Sequence, residues 1–252
     1  MRVEDAGINA SAPTRQLWLD GWIVRLSAGK ARRARCINAV AGGERPVADK
    51  LAECQALYRQ AGLPIFVRVT PFTQPATLDD ELAARGWVRL DDTRVMVRTS
   101  LQALPQPAVP PGVVEEEVDG ATYAAVVGAL RGTPPPDVHA HAQRLATSPV
   151  PYRGFVWRRL DAPAGDVVAC GQVAREGALA GLYDVFTAPA QRGRGFAQAL
   201  CARLLERARD DGASVGYLQV DAANAPALSA YRRLGFQDAY GYHYRSPEAG
   251  AH

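Results

Sequence analysis

The chain has 252 residues, of which 48% are hydrophobic and 22% are charged, and its formal net charge is +3. This length allows one large domain or two domains of ordinary size, and the composition is that of a globular protein with a sizeable core. The sequence has no run of 18 uncharged apolar residues, and acidic side chains come early in it, so it predicts neither a membrane span nor a signal peptide.

Charge and cysteine placement argue against several other classes of protein. The basic run at 29–36 is interpreted as the solvated face of a hairpin, with a patch for an anionic partner as the alternative. The sequence contains no stripe of arginines with interleaved aromatic residues, so it predicts no nucleic-acid partner. The cysteines form no CxxC pair and have no paired histidines, so we expect no metal and reduced thiols in a cytoplasmic protein; they are Cys36, Cys54, Cys170 and Cys201.

The first elements along the chain are a strand, a helix, and a strand-loop-helix segment. The stretch at 15–26 contains Trp18 and Trp22 and predicts a core strand with alternating burial. The run at 47–60 predicts a helix. The stretch at 61–90 predicts a strand, a loop and a helix that ends at a glycine followed by an aromatic residue.

Four prolines within residues 105–112 predict a linker, because proline cannot donate a ladder or helix hydrogen bond. This linker divides the chain into an N-terminal domain over 1–104 and a C-terminal domain over 113–252. Each is long enough to fold.

The C-terminal half alternates between helical and strand patterns. Apolar residues at helical spacing, and β-branched or aromatic runs, set the two kinds apart. Helices are predicted at 120–130, 136–146, 196–210 and 225–235, and strands at 152–160, 166–174, 178–188, 214–220 and 240–246. We expect the last strand to close the sheet of this half.

A loop rich in glycine and arginine joins the strand at 178–188 to the helix at 196–210. Free N–H groups and the dipole at a helix N-terminus favour an anion. Gly193 and Gly195 lack a Cβ and allow close backbone approach, while Arg192 and Arg194 add positive charge. The loop matches neither the dinucleotide-binding glycine pattern nor the phosphate-binding loop of nucleotide hydrolases.

Residues 192–197, RGRGFA, resemble the R/Q-x-x-G-x-G/A motif of the Gcn5-related N-acetyltransferases. The stretch at 183–195 resembles that family's fourth strand and pyrophosphate loop. The stretch at 217–236 resembles its fifth strand, an asparagine-containing loop and a helix ending in Y-x-x-x-G-F. The resemblance spans about 70 residues, 178–245, and implies an α/β fold with two GNAT-like domains, each a mixed, mostly antiparallel sheet flanked by helices.

The resemblance also implies roles for individual residues and acetyl-CoA as cosubstrate. The loop would hold the coenzyme A pyrophosphate through the backbone N–H groups of Arg192, Gly193, Arg194, Gly195, Phe196 and Ala197. The strand end would pair with the pantetheine arm through Val185, Phe186 and Thr187. Asn224 would bind the pantetheine region, and Tyr231 would protonate the leaving thiolate. The alternatives are a helix N-cap for Asn224 and a packing role for Tyr231.

No general base is assigned from the sequence. Many members of the family carry a glutamate on the fourth strand, where this chain has Tyr183 and Asp184. Asp184, Glu176 and an ordered water are the candidates, and each carboxylate is also interpreted as a solvated strand-edge group. The histidines suggest no metal either, because His139 and His141 point to different faces of a predicted helix.

The N-terminal half resembles a degenerate copy of the C-terminal half. The stretch at 61–90 repeats the order of elements at 211–239, at an offset of about 150 residues. At that offset the RGRGFA loop falls on 42–47, where Arg45 replaces Gly195, and where the Glu44 carboxylate and the missing N–H of Pro46 oppose anion binding. Tyr231 falls on Leu82. We therefore expect one active site, in the C-terminal half.

These observations predict an N-acetyltransferase that transfers an acetyl group to the primary amine of a small molecule by direct attack in a ternary complex. The alternatives are a protein or peptide amine as acceptor, and a non-enzymatic acyl-CoA sensor. We expect no nucleic-acid or membrane partner. The sequence leaves the identity of the amine and the oligomeric state open.

Overall fold

The computed structural model describes residues 3–105, 110–160 and 166–247. Within these ranges the chain forms seven α-helices: α1 (Val3–Ala10), α2 (Val47–Gln60), α3 (Leu78–Ala84), α4 (Gly120–Arg131), α5 (Pro135–Ala146), α6 (Phe196–Asp210) and α7 (Ala225–Arg233). The same ranges contain eleven strands: β1 (Gln16–Leu19), β2 (Trp22–Arg25), β3 (Ile37–Ala39), β4 (Val67–Val69), β5 (Val88–Arg98), β6 (Val113–Val118), β7 (Tyr152–Arg159), β8 (Val167–Glu176), β9 (Leu179–Thr187), β10 (Val215–Asp221) and β11 (Gln237–Ser246).

The chain folds into two compact units. The first unit comprises Met1–Ala10, Val95–Val220 and Asn224–Ala239, and the second comprises Ser11–Arg94, Asp221–Ala223 and Tyr240–His252. Strands β5 and β11 therefore each contribute residues to both units.

The predicted linker at 105–112 falls partly outside the described residues, because 106–109 belong to the part that the structure does not describe. The division into domains over 1–104 and 113–252 stays a prediction.

The first unit contains a mixed sheet with the strand order β5-β10-β9-β8-β7-β6. The pairs from β9 through β6 are antiparallel, and β10 runs parallel to β9. The fold is thus a mixed α/β fold with helices against its sheet, which confirms the predicted fold class.

Helix α6 supplies much of the core on one face of this sheet. The predicted stripe is buried, with Leu200, Leu204 and Leu205 fully inaccessible and Ala208 only 2% exposed. These side chains pack against Leu182 and other residues of the sheet. Burying each large apolar side chain contributes about 2 kcal/mol to the stability of this layer.

Helices α1, α4 and α5 contribute residues to two further apolar clusters of the first unit. Tyr123 and Val127 of α4 pack with Val156 and Cys170 of the sheet, and the partly buried Val138 of α5 joins them. Ala6 and Ala10 of α1 pack instead with Ala174 and with the tyrosines of β9 and β10, Tyr183 and Tyr217.

The second unit contains the strand order β1-β2-β3-β4-β11. Helices α2 and α3 bury Leu51, Cys54 and Leu82 in one apolar cluster together with Trp22 and Val67 of the strands. The parallel pair in this sheet is β3 with β4, and its other neighbouring pairs are antiparallel.

The final strand differs from the prediction. Residues 240–246 do not form an edge strand that closes the sheet of the C-terminal half; in the strand order β11 lies between β4 and β5, and Tyr244 is opposite Arg68 of β4. A carboxylate of α3 stabilises this arrangement. Asp79 lies 2.9 Å from His243 Nε2 and 2.7 Å from Arg245 Nε, which places both side chains on the helix-covered face.

Candidate functional site

The site begins where two parallel strands of the first unit separate. Strands β9 and β10 are in register from the pair Leu179–Val215 to the pair Leu182–Leu218. Beyond Leu182, β9 continues to Thr187 without a partner on β10 in this register. The edge of β9 is therefore open to a ligand over its last residues.

A β-bulge shapes the same part of β9. Gln172 of β8 is opposite Tyr183, and Cys170 is opposite Phe186, so two residues of β9, Asp184 and Val185, oppose one residue of β8. Asp184 has a φ of +50°, an uncommon conformation for a residue other than glycine. A bulge bends its strand and re-aims the backbone groups beside it.

A cleft of about 520 Å³ lies at this separation. The end of β9, the glycine-arginine loop, the first turn of α6 and one face of α7 form its walls. Nine of the ten residues predicted to bind the cosubstrate line it: Val185, Phe186, Thr187, Arg192, Gly193, Gly195, Phe196, Ala197 and Asn224. The structure therefore brings together residues that lie up to 39 positions apart in the sequence, although Arg194 is not part of the lining.

The two glycines of the loop allow a backbone conformation that other residues disfavour. Gly193 has a φ of +77° and Gly195 a φ of +82°, in the region that side chains disfavour. A Cβ built at either position would have no protein atom within 4 Å. Gly195 is the N-cap of α6, whose first N–H groups have no partner within the helix. The two glycines leave the approach to these donors open.

Positive charge lies on two sides of the cleft. On one side, the Arg192 guanidinium lies 5.5 Å from the centre of the Phe186 ring, and its Nε donates to the Thr187 carbonyl over 3.4 Å. On the other, Arg233 donates to Gln198 Oε1 over 3.1 Å and to Ser229 Oγ over 2.8 Å.

Arg233 and several other lining residues were not predicted from the sequence. They are Gln191, Gln198, Pro226, Ala227, Ser229, Ala230 and Arg233. Helical spacing was the available signal for those on α7, because positions 226, 229, 230 and 233 lie on the same face of a helix.

Asn224 is both a helix cap and a cleft residue. Its Oδ1 accepts a hydrogen bond from the Ala227 N–H over 3.2 Å, which makes it the N-cap of α7. The cap uses the oxygen of the amide, and Nδ2 is the group that could donate to a ligand in the cleft.

Tyr231 follows the lining residue Ala230 on α7 but does not itself line the cleft. It packs against the apolar core, with its ring 6.1 Å from that of Phe236. Burial, together with the nearby Cys201, raises the pKa of its phenol well above the usual value. The hydroxyl therefore stays protonated at neutral pH, and it is a weaker acid than a phenol in water.

The two carboxylates considered as bases have different surroundings. Burial would raise the pKa of Asp184, but the hydrogen bond from His141 and the charges of Arg131 and Arg144 outweigh it and hold that pKa well below its usual range. Glu176 accepts a hydrogen bond from Asn9 and is paired with Leu179, at the opposite end of β9 from the cleft. Neither arrangement favours proton abstraction.

The loop of the second unit at 42–47, which was predicted to correspond to the RGRGFA loop, holds a carboxylate of the protein itself. Asp20 accepts hydrogen bonds from the N–H groups of Glu44 and Arg45, each with a distance of 2.9 Å to one of its oxygens, and these bonds lower its pKa. The buried Lys50 ammonium lies 3.3 Å from the same carboxylate. Pro46, which has no N–H, caps α2. These backbone donors already have an anionic partner.

Among the described residues, no group of three or more His, Cys, Asp or Glu side chains is placed to hold a metal ion. No helix in the described ranges has the length and apolar character that crossing a membrane requires.

Comparison with known proteins identifies the family. Residues 80–236 match the model of the acetyltransferase (GNAT) family. An uncharacterized N-acetyltransferase of Bacillus subtilis (strain 168), YobR, is 25% identical over 226 residues, which cover 89% of this chain and 89% of that protein. The mycothiol acetyltransferase of Rhodococcus erythropolis (strain PR4) is 36% identical over 90 residues, which cover 36% of this chain and 27% of that protein.

The fold is also found in a solved structure. A GCN5-related N-acetyltransferase from Kribbella flavida superimposes with a TM-score of 0.71 at 17% identity, covering 98% of this chain and 93% of that one. At this identity the likeness concerns the fold, and the family match over residues 80–236 carries the assignment. The chain therefore belongs to the GNAT family of acetyltransferases.

Proposed function

We propose that the protein is an N-acetyltransferase that transfers the acetyl group of acetyl-CoA to the primary amine of a small molecule. The observation that carries this proposal is the junction of two features in one cleft. The open edge of β9 beyond Leu182 meets the glycine-arginine loop at the N-terminus of α6. A ligand with an extended amide-containing arm and an anionic diphosphate suits both features.

The residues of the cleft fit coenzyme A chemically. The N–H groups of residues 193–197 and the charge of Arg192 suit the diphosphate, because charge-assisted hydrogen bonds at a helix N-terminus favour phosphate. The backbone of Val185, Phe186 and Thr187 suits the two amides of the pantetheine arm, as an added strand would. Asn224 supplies a further donor.

The reaction is a direct displacement. The amine nitrogen forms a bond to the thioester carbon, the carbonyl oxygen becomes an oxyanion, and the carbon–sulfur bond then breaks. A backbone N–H at the bulge around Asp184 and Val185 is the donor to the oxyanion, and it needs no reorganisation during the reaction. Tyr231 gives its proton to the departing thiolate.

The proton of the amine does not go to Asp184, because the pKa of that carboxyl is held too low. The amine therefore attacks in its neutral form, and its nitrogen loses the extra proton to water as the amide forms. We assign no base among the side chains.

The acceptor proposed here is a small molecule. The name of the Rhodococcus relative, a mycothiol acetyltransferase, supports this class of acceptor, and its 90 matched residues are 36% identical to this chain. The four cysteines are free and buried, as suits an enzyme of the reducing cytoplasm. The N-terminal half is proposed to be a degenerate copy that serves as a scaffold.

A titration and a thiol-release assay test the proposal together. Calorimetry of the purified chain with acetyl-CoA should show saturable binding. Release of free coenzyme A should then follow on some members of a panel of amines, amino acids and short peptides. Binding without release on any acceptor would favour a sensor, release on peptides alone would favour a protein acceptor, and no binding would overturn the function.

A further inference from the structure

The Gln172 side chain of β8 is an unexplained polar group in the interior of the first unit. It is 1% exposed, and among the described residues neither its Oε1 nor its Nε2 has a hydrogen-bond partner. Buried carboxamides are nearly always paired, because leaving both ends unpaired opposes folding. A group of this kind in a native protein calls for a ligand or a bound water.

Its position in the sheet defines what surrounds it. Gln172 is opposite Gly154 on β7 and Tyr183 on β9, so its side chain shares a face with theirs. A Cβ on Gly154 would lie 2.7 Å from the Tyr123 ring. This ring therefore covers the sheet at Gly154, which has no side chain of its own. The neighbouring Gly171 faces Leu200 and Leu204 of α6, so the Gln172 side chain projects from the opposite face of the sheet, beside Tyr183 and the glycine that Tyr123 covers.

This position adjoins the bulge. Tyr183, the partner of Gln172, immediately precedes Asp184, and the Tyr123 hydroxyl donates to the Asp184 carbonyl over 2.9 Å. In the proposed function the acetyl group is held at this bulge from the α6 side. The amine then has to approach from the face that carries Gln172.

We propose that Gln172 is a specificity-determining residue of the acceptor site. Its carboxamide offers an acceptor oxygen and a donor NH2 group, so it pairs best with a group that can both donate and accept. The acceptor class is therefore an amine with a neighbouring amide, carboxyl or hydroxyl group, rather than a simple alkylamine. This inference depends on the proposed function, whose site it completes.

Access to Gln172 requires that a covering side chain moves. Tyr152 is half-buried beside it, with its ring 5.4 Å from that of Tyr183 and its hydroxyl donating to the Ala10 carbonyl over 2.7 Å. The Arg144 guanidinium also lies over this ring, 5.8 Å from its centre. A rotation of this ring opens the face toward Gln172.

The experiment compares two amines in two proteins. Glycinamide carries an amide beside its amine, and propylamine has no second polar group. The wild type should acetylate glycinamide better than propylamine in kcat/KM, and Gln172→Leu should lower this ratio about tenfold, since a lost hydrogen bond of the usual strength is worth about a factor of ten. Because the ratio is compared between proteins, the intrinsic reactivity of the amines cancels.

A stability measurement separates this role from a structural one. Removing an unpaired buried carboxamide should raise the Tm of the ligand-free protein by about 2–4 °C, whereas removing a structural support would lower it. Gln102→Leu, at an exposed position, is the matched control and should change neither the ratio nor the Tm.

The results that overturn the inference are distinct from failure of the proposed function. An unchanged ratio in Gln172→Leu, a lowered Tm, or acetylation of neither probe by a wild type that binds acetyl-CoA would each contradict the role of Gln172. An unchanged ratio with a raised Tm would indicate a bound water alone. Absence of acetyl-CoA binding to the wild type would remove the proposed function and this inference together.

Discussion

The Nε2 atom of His141 lies 3.2 Å from the Oδ2 atom of Asp184, while Arg131 donates to the Oδ1 atom of the same carboxylate over 3.0 Å. Two helices, α4 and α5, are thereby tied to the bulge of β9. The Arg131 ion pair and the His141 contact hold the Asp184 carboxylate, whose residue has a φ of +50°, at the bulge. The arrangement supports the strand at the edge of the cleft.

We expect Asp184→Asn to lower the free energy of unfolding by about 2 kcal/mol at pH 7, because it leaves Arg131 with a neutral partner. The pKa of Asp184 in the folded protein lies below the unfolded value of about 3.9. Its contribution is therefore fully present above that value and lost as the pH falls through the folded pKa. The difference in the free energy of unfolding between Asp184→Asn and the wild type should become smaller below about pH 4.

Urea unfolding of both proteins between pH 7 and pH 3 measures this dependence. Asp210→Asn is a suitable control, because that carboxylate is 66% exposed. Equal stability of wild type and Asp184→Asn at pH 7 would contradict a supporting role for the carboxylate.

Gly193→Glu should abolish acetyl-CoA binding. The new carboxylate would project into the cleft, where it would repel a diphosphate, and the positive φ of the position adds strain. Gly212→Glu introduces the same charge at a glycine of φ +101° with equally open surroundings, at the other end of α6. Calorimetry should show binding by the control only, and binding by both would defeat the assignment of the loop.

Tyr231→Phe should leave the affinity for acetyl-CoA unchanged and lower kcat by about a hundredfold, the usual scale for loss of a general acid. Burial keeps this phenol protonated, so the loss should be similar across neutral pH. Steady-state kinetics between pH 6 and pH 9 provide the measurement. Unchanged turnover would return Tyr231 to a packing role against Phe236.

One acetyl-CoA should bind per chain. In the second unit, the N–H groups of Glu44 and Arg45 already bind the Asp20 carboxylate, and Pro46 has no N–H to offer. Calorimetric stoichiometry near one in the wild type and near zero in Gly193→Glu would agree with this expectation. A second site that persists in the variant would show that the N-terminal half binds the cosubstrate after all.

Local pattern was enough to predict most elements of the first unit. The helix predicted at 196–210 is observed as Phe196–Asp210, because its apolar stripe and the glycines before it are both local signals. The loop and the end of β9 were assigned to one site through the resemblance of residues 178–245 to the Gcn5-related N-acetyltransferases.

Features that depend on pairing could not be read from the sequence. The bulge at Asp184 results from the register of β9 against β8, which no alternation of residues reveals. The burial of Gln172 depends on Gly154 of the preceding strand, β7, and on a tyrosine of α4. The transfer of residues 240–246 to β4 is a choice between distant partners, which the tyrosine-rich sequence leaves undecided.

The pairing of β11 with β4 has a consequence for how the gene can be divided. The final strand pairs with β4, which is encoded far upstream of the predicted linker. A split within the proline-rich linker would give an N-terminal fragment that lacks this strand and a C-terminal fragment that carries an unmatched edge. The two fragments would then complement each other only when both are present, so the chain is suited to conversion into a split reporter whose reassembly restores the missing strand.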